Sequence, residues 1–112
     1  MKPIEELETL EDIEAFIQHK SLAFVYFSRP DCSVCTGLWP QIVSLLEKYP
    51  DVELAHIEMN HHTEKIAGHF SIFTVPVLMF YIEGKEFIRE ARIIHLDQLE
   101  NRLDTLIDNY QN

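Results

Sequence analysis

Residues 22–27, Leu-Ala-Phe-Val-Tyr-Phe, run without a charged or small polar residue, and that run limits the fold more than any other feature. A strand with one face in water alternates apolar and polar side chains; a continuous apolar strand has to be covered on both faces. The chain must therefore supply apolar helical stripes for two sides of a sheet, and it does. After Thr9, which with Asp12 three residues on resembles a helix start, Leu10, Ile13, Phe16 and Ile17 fall on one helical face. Further on, Cys35, Leu38, Trp39, Ile42, Leu45, Leu46 and Tyr49 follow the i, i+3, i+4, i+7 spacing of a helix buried along one stripe. Pro40 inside that stripe is expected to kink the helix, because it removes a backbone donor and crowds the preceding turn.

The remaining periodicity predicts a buried strand over 52–59, carried by Leu54, Ala55, Ile57 and Met59, then a short helix over 62–70. Two more strands, 77–82 and 87–94, are joined by Glu83-Gly84, a pair suited to a tight hairpin turn. Leu96, Leu99, Leu103, Leu106 and Tyr110 make a terminal amphipathic helix. The acidic stretch 4–14 reads as a solvated face. Helix, strand, helix, strand, helix, strand, strand, helix is the order of an α/β chain: a mixed central sheet of four to five strands, flanked by helices on both faces.

With 112 residues, 1–112 is read as one domain. A chain of this length buries roughly two-thirds of its unfolded surface, so it needs neither a disulfide staple nor a metal to hold together. That bears on the two cysteines, Cys32 and Cys35. A bridge between residues three apart constrains little of the unfolded chain, so the pair reads as chemical rather than structural. Nine basic against 19 acidic residues give a formal charge of −10. Such a surface repels nucleic acid and anionic membrane, and serves solubility. Apolar runs at 22–27 and 75–82 are too short to cross a bilayer. The start, Met1-Lys2-Pro3-Ile4-Glu5-Glu6, has no apolar signal core, so a reducing cytoplasm is the expectation; the chain is also expected to be a monomer. In that compartment a close cysteine pair is more often catalytic, redox-sensing or metal-binding than structural.

The pair falls where a buried strand ends and a helix begins. Free N–H groups and the macrodipole at a helix N-terminus favour negative charge, so a thiolate forms there below the pKa of about 8.5 of a free thiol. The thiolate is the species that attacks a disulfide. This makes Cys32 the nucleophile and Cys35, one turn inward on the apolar stripe, the residue that resolves the mixed disulfide. Two other readings fit a C-x-x-C pair. Half of a zinc or iron–sulfur site would need two more ligands, for which His61-His62 would have to approach in space. Two inert buried cysteines pack well as small hydrophobes. Trp39, Met59 and Met79 read as core, and the remaining histidines as solvated.

With Cys32-Ser33-Val34-Cys35, Pro40 and Val75-Pro76 in this order, the chain resembles the thioredoxin family over nearly its whole length. The resemblance implies the thioredoxin fold, and it implies that Val75-Pro76 is the family's cis-proline step, which lies beside the nucleophilic sulfur and presents the backbone of Val75 to an extended substrate. An ordinary strand-start proline is the other reading of Pro76. The chain also departs from the family. Pro30-Asp31 precede Cys32 where a Trp is usual, and Ser33-Val34 replace Gly-Pro. Tyr26 stands where the family has a buried Asp, His56 where it has the paired Lys, and Arg92 or Ile93 where it has a loop Gly. Asp31 opposes a nearby thiolate and Arg29 favours one. Histidine as a residue type exchanges protons near neutral pH, so His56 is the candidate for proton transfer with Cys35; the alternative is a strand histidine bonded to a neighbour.

The expected function is a thiol–disulfide oxidoreductase that reduces protein disulfides through Cys32 and Cys35, drawing on a protein or low-molecular-weight thiol reductant. No cofactor or metal is expected, since the three glycines, Gly37, Gly68 and Gly84, are scattered singly and form no phosphate loop. The alternative is a thioredoxin-fold redox sensor or binding module with little turnover.

Overall fold

The computed structural model describes residues 2–112. Nine elements follow in chain order: β1 (Ile4–Glu6), α1 (Leu10–His19), β2 (Leu22–Ser28), α2 (Ser33–Leu46), β3 (Glu53–Glu58), α3 (Glu64–Phe70), β4 (Val77–Ile82), β5 (Lys85–Ala91) and α4 (Leu96–Gln111). The five strands form one sheet in the order β1-β3-β2-β4-β5. β1, β3 and β2 run parallel, while β4 and β5 add antiparallel. This is the mixed sheet expected from the sequence, with five strands.

Central β2 is buried along its entire length, and its alternation sorts the core into two layers. Leu22, Phe24 and Tyr26 face α2 and α4, packing with Leu38, Ile42, Leu46, Leu99 and Leu103. Ala23, Val25 and Phe27 face α1 and α3, packing with Ile13, Phe16, Ile17, Ile66 and Phe70. β4 splits the same way, Leu78 and Phe80 to the first layer and Val77 and Met79 to the second. Each such side chain contributes about 1.5–3 kcal/mol by leaving water.

Local chemistry sets the element ends. Thr9 caps α1, its hydroxyl accepting from the Asp12 N–H at 3.0 Å. α2 runs on through Pro40 as one 14-residue helix. Glu83 and Gly84 both have positive φ, 50° and 80°, the conformation a two-residue hairpin turn of the I′ type requires. α3 closes on Ser71 at φ 57°, with the Ile72 N–H reaching back to the Ala67 carbonyl. Tyr49, just past α2, donates to Asp104 of α4 at 2.5 Å, and Lys48 pairs with Glu100 at 2.6 Å.

Two expectations shift. The fourth expected strand lies at 85–91 rather than 87–94, because the tight turn starts β5 directly after Gly84 and Arg92 leaves the ladder at positive φ. β1 falls within the acidic stretch read as a solvated face. It is exposed throughout and pairs with β3 along Ile4↔Leu54, Glu5↔Ala55 and Glu6↔His56. Lys2 secures the same edge by donating to the Tyr49 and Val52 carbonyls at 2.9 and 2.6 Å.

Candidate active site

β2 and β3 end, and β4 begins, at the same edge of the sheet: Phe27 is paired with both Ile57 and Val77, and Val77 with Ala91 of β5. Three loops and the start of α2 therefore meet there. Cys32 is the N-cap of α2, and its sulfur accepts the Cys35 N–H at 3.1 Å. Cys32 and Cys35 are joined in a disulfide, their Cα atoms 5.2 Å apart. Cys35 is 1% exposed and sits on the buried stripe of α2, whereas Cys32 is partly exposed. With no acidic residue in the first turn of α2, the positive end of the helix dipole acts on Cys32 without competition from its own helix. A thiolate at Cys32 would keep the Cys35 N–H as a donor, which is the arrangement that lowers a thiol's pKa.

The Val75–Pro76 bond is cis. Pro76 is buried at the foot of β4 and its carbonyl accepts the Arg92 N–H at 2.8 Å. The proline loop and the loop after β5 are thus tied together at the disulfide end.

Beneath the disulfide lies a polar row the sequence only partly displayed. Tyr26 is fully buried, and its hydroxyl donates to the Cys35 carbonyl at 3.0 Å. Burial pushes that hydroxyl up from 10 to about 12, so Tyr26 is a neutral donor and no base at physiological pH. Its ring stacks on Trp39 at 5.2 Å, and Trp39 in turn lies 5.1 Å from the ring of His56. His56 bonds on both nitrogens, Nε2 with the Ser28 hydroxyl at 2.6 Å and Nδ1 with the Glu6 carboxylate at 2.7 Å. The carboxylate can only accept, so Nδ1 carries a proton; neutral His56 then accepts from Ser28 at Nε2, and charged His56 donates at both ends. His56 thus sits in a Glu6–His56–Ser28 chain, with no hydrogen bond to Cys35 among the described residues.

Ser28 and Glu6 escaped the sequence reading. Ser28 carries a usable signal, since it lies two residues beyond Tyr26 and so shares its face of the strand. Glu6 carries none, because its place depends on the pairing of β1 with β3. Of the other residues singled out, Met59 and Met79 are core, and Trp39 is partly buried against the core. The rings of His61 and His62 lie 3.8 Å apart, tilted at 46°, in the exposed turn after β3. Among the described residues, no three His, Cys, Asp or Glu side chains are placed to hold a metal ion, and no helix is long and apolar enough to cross a membrane.

Comparison with known proteins agrees with this geometry. The family model for thioredoxin matches residues 6–105. The thioredoxin-like protein YdfQ of Bacillus subtilis is 43% identical over 111 residues, spanning 99% of this chain and 98% of the relative. Among solved structures, thioredoxin f2 of Chlamydomonas reinhardtii superposes with a TM-score of 0.78 at 17% identity, over 92% of this chain and 95% of that one. A thioredoxin-like protein from Bacillus cereus superposes with a TM-score of 0.67 at 26% identity, covering 84% and 98%. The chain belongs to the thioredoxin family, and its Cys32–Cys35 pair equips it as a thiol–disulfide oxidoreductase.

Proposed function

We propose that the protein reduces disulfides of other proteins through a mixed-disulfide intermediate, with Cys32 as nucleophile and Cys35 as resolver. The observation that carries this reading is the asymmetry of the pair: the partly exposed Cys32 at the helix N-cap receives a backbone N–H on its sulfur, and the buried Cys35 lies a turn deeper. In the reduced protein the Cys32 thiolate attacks one sulfur of the substrate disulfide and expels the other as a thiolate, which takes a proton from solvent. Cys35 then gives up its proton and attacks Cys32, releasing the second substrate thiol and leaving the Cys32–Cys35 disulfide. A protein or low-molecular-weight thiol reductant returns that disulfide to the dithiol.

Support for a protein substrate comes from the rim. Among the described residues, the three most exposed large apolar side chains, Phe73 at 89%, Ile93 at 76% and Val34 at 60%, lie in the proline loop, the loop after β5 and the first turn of α2. Exposed apolar side chains grouped around a reactive pair suit an extended peptide better than a small solute. Val75, ahead of cis-Pro76, offers its backbone to such a peptide. His56, its ring held by Ser28 and Glu6 and sharing no hydrogen bond with Cys35, takes the proton that Cys35 sheds through an intervening water.

The test is reduction of a protein disulfide such as that of insulin, followed by release of free thiol. Cys32→Ser is expected to be inactive, and Cys35→Ser to accumulate a covalent adduct on Cys32 that dithiothreitol dissolves. Full activity in Cys32→Ser would overturn the mechanism, and an inert wild type would return the pair to a sensing role.

A further inference from the structure

Charge is distributed unevenly over the four arginines. Arg89 and Arg102, away from the cysteines, are ion-paired with Glu86 at 2.9 Å and Glu90 at 3.5 Å. Arg29 and Arg92, in the two loops that flank the disulfide, have no carboxylate partner among the described residues, and both are exposed. In a chain of 19 acidic and nine basic residues, exposed arginines find a carboxylate easily, so two guanidinium groups left unpaired at one end are free to take a carboxylate from outside the chain. Asp31, two residues after Arg29, Glu58, at the end of β3, and Glu6 and Glu8, which share a cavity with Glu58, are carboxylates at this end; Glu6 is held by His56, and none of the four pairs with either arginine.

Arg92 adds a second, independent observation. Its φ is 70°, the left-handed backbone that glycine adopts freely and a long side chain only under strain. The loop keeps that backbone because the Arg92 N–H is bonded to the Pro76 carbonyl. Strain held at a site edge is a pointer to function rather than packing, and here the buried core gains nothing from the side chain. Next to it stands Ile93, exposed on the apolar rim.

We infer that Arg92, assisted by Arg29, selects protein disulfides flanked by an acidic residue: a substrate segment laid along the proline loop meets an apolar rim and a free guanidinium beside it. This rests on the disulfide-reductase reading above and specifies its substrate class. Guanidinium pairs with a carboxylate through two parallel hydrogen bonds, which gives direction as well as attraction.

The experiment uses the pre-reduced full chain in single turnover against two synthetic peptide disulfides, identical except for Asp or Lys beside the attacked cysteine. At low ionic strength the Asp peptide is expected to be reduced about two- to fivefold faster than the Lys peptide, the range exposed ion pairs supply. That ratio should shrink with added salt. Arg92→Asn, which tolerates the left-handed backbone, should bring the ratio close to one, and Arg92→Glu should invert it. Equal wild-type rates on both peptides, or a ratio unmoved in Arg92→Glu, would overturn the assignment while leaving the reductase reading intact. A wild type idle on both peptides would overturn that reading and this inference with it.

Discussion

The two faces of β2 bury equally well and do different things. Toward α1 and α3, Ala23, Val25 and Phe27 join an apolar cluster that holds none of the disulfide's polar partners. Toward α2 and α4 the strand begins in the same way with Leu22 and Phe24, then turns polar as it nears the disulfide, through Tyr26 and Ser28. One layer carries stability. The other carries stability at its far end and chemistry at its near end, because Tyr26 is bonded to the backbone of Cys35 and Ser28 to His56. The difference teaches that a strand with period two can serve a core and a reactive site at once, provided polar atoms on the second face all find partners. They do: among the described residues, no buried side-chain nitrogen or oxygen lacks one.

The sharpest way to break the comparison is to damage the apolar layer. Ile13 of α1 is fully buried, and Ile13→Ala is expected to cost about 2–5 kcal/mol in denaturant unfolding. The reduction potential of the Cys32–Cys35 pair should stay at the wild-type value below the transition; a shifted potential would show that the two layers are coupled. On the other face, His56→Gln removes the imidazole that bridges Glu6 and Ser28. Release of substrate from the mixed disulfide should slow about tenfold or more, with the first, adduct-forming step unchanged. Release as fast as in wild type would reduce His56 to a structural strand residue.

Tyr26→Phe leaves the Cys35 carbonyl without its side-chain donor and should cost about 1 kcal/mol. It should also alter the alkaline limb of stability. Burial raises the Tyr26 hydroxyl from 10 to about 12. Between those values the unfolded chain releases a proton that the folded chain keeps, so stability falls as pH climbs through pH 10–12. Removing the hydroxyl should flatten that fall. Tyr81, in the other layer, is also raised to about 12, first by burial and then by Glu86. Tyr81→Phe should flatten the limb as well, and part of its effect should be lost in high salt while that of Tyr26→Phe is not. The smallest effect is expected at Ser71, the left-handed end of α3. Ser71→Gly removes the strain of a side chain at φ 57° and should raise stability by about 0.5 kcal/mol, with exchange activity as in wild type.

Much of this was legible in the residues. The strand at 22–27 demanded two covering layers, and stripes at 10–17 and 35–49 identified two of the helices that cover it. Cys32 and Cys35 declared themselves by lying at the junction of strand and helix, and Glu83-Gly84 by its turn chemistry. The Glu6–His56–Ser28 chain was not legible as a unit. His56 stood out as a residue type in a strand, whereas Ser28 read as a strand end and Glu6 as one of many surface carboxylates.

By itself, then, the sequence determined the order of the elements, the two-sided burial of β2 and the position of the reactive pair, because all three depend on periodicity and on neighbours a few residues apart. Only the tertiary structure decided which strand lies beside which, that Ile4–Glu6 is an edge strand, and what His56 touches. β1 has one apolar residue and no buried one, so no local pattern announces it. It exists because the exposed edge of β3 offers backbone partners at Leu54, Ala55 and His56, and a strand's pairing partner is a property of the folded sheet rather than of its own residues.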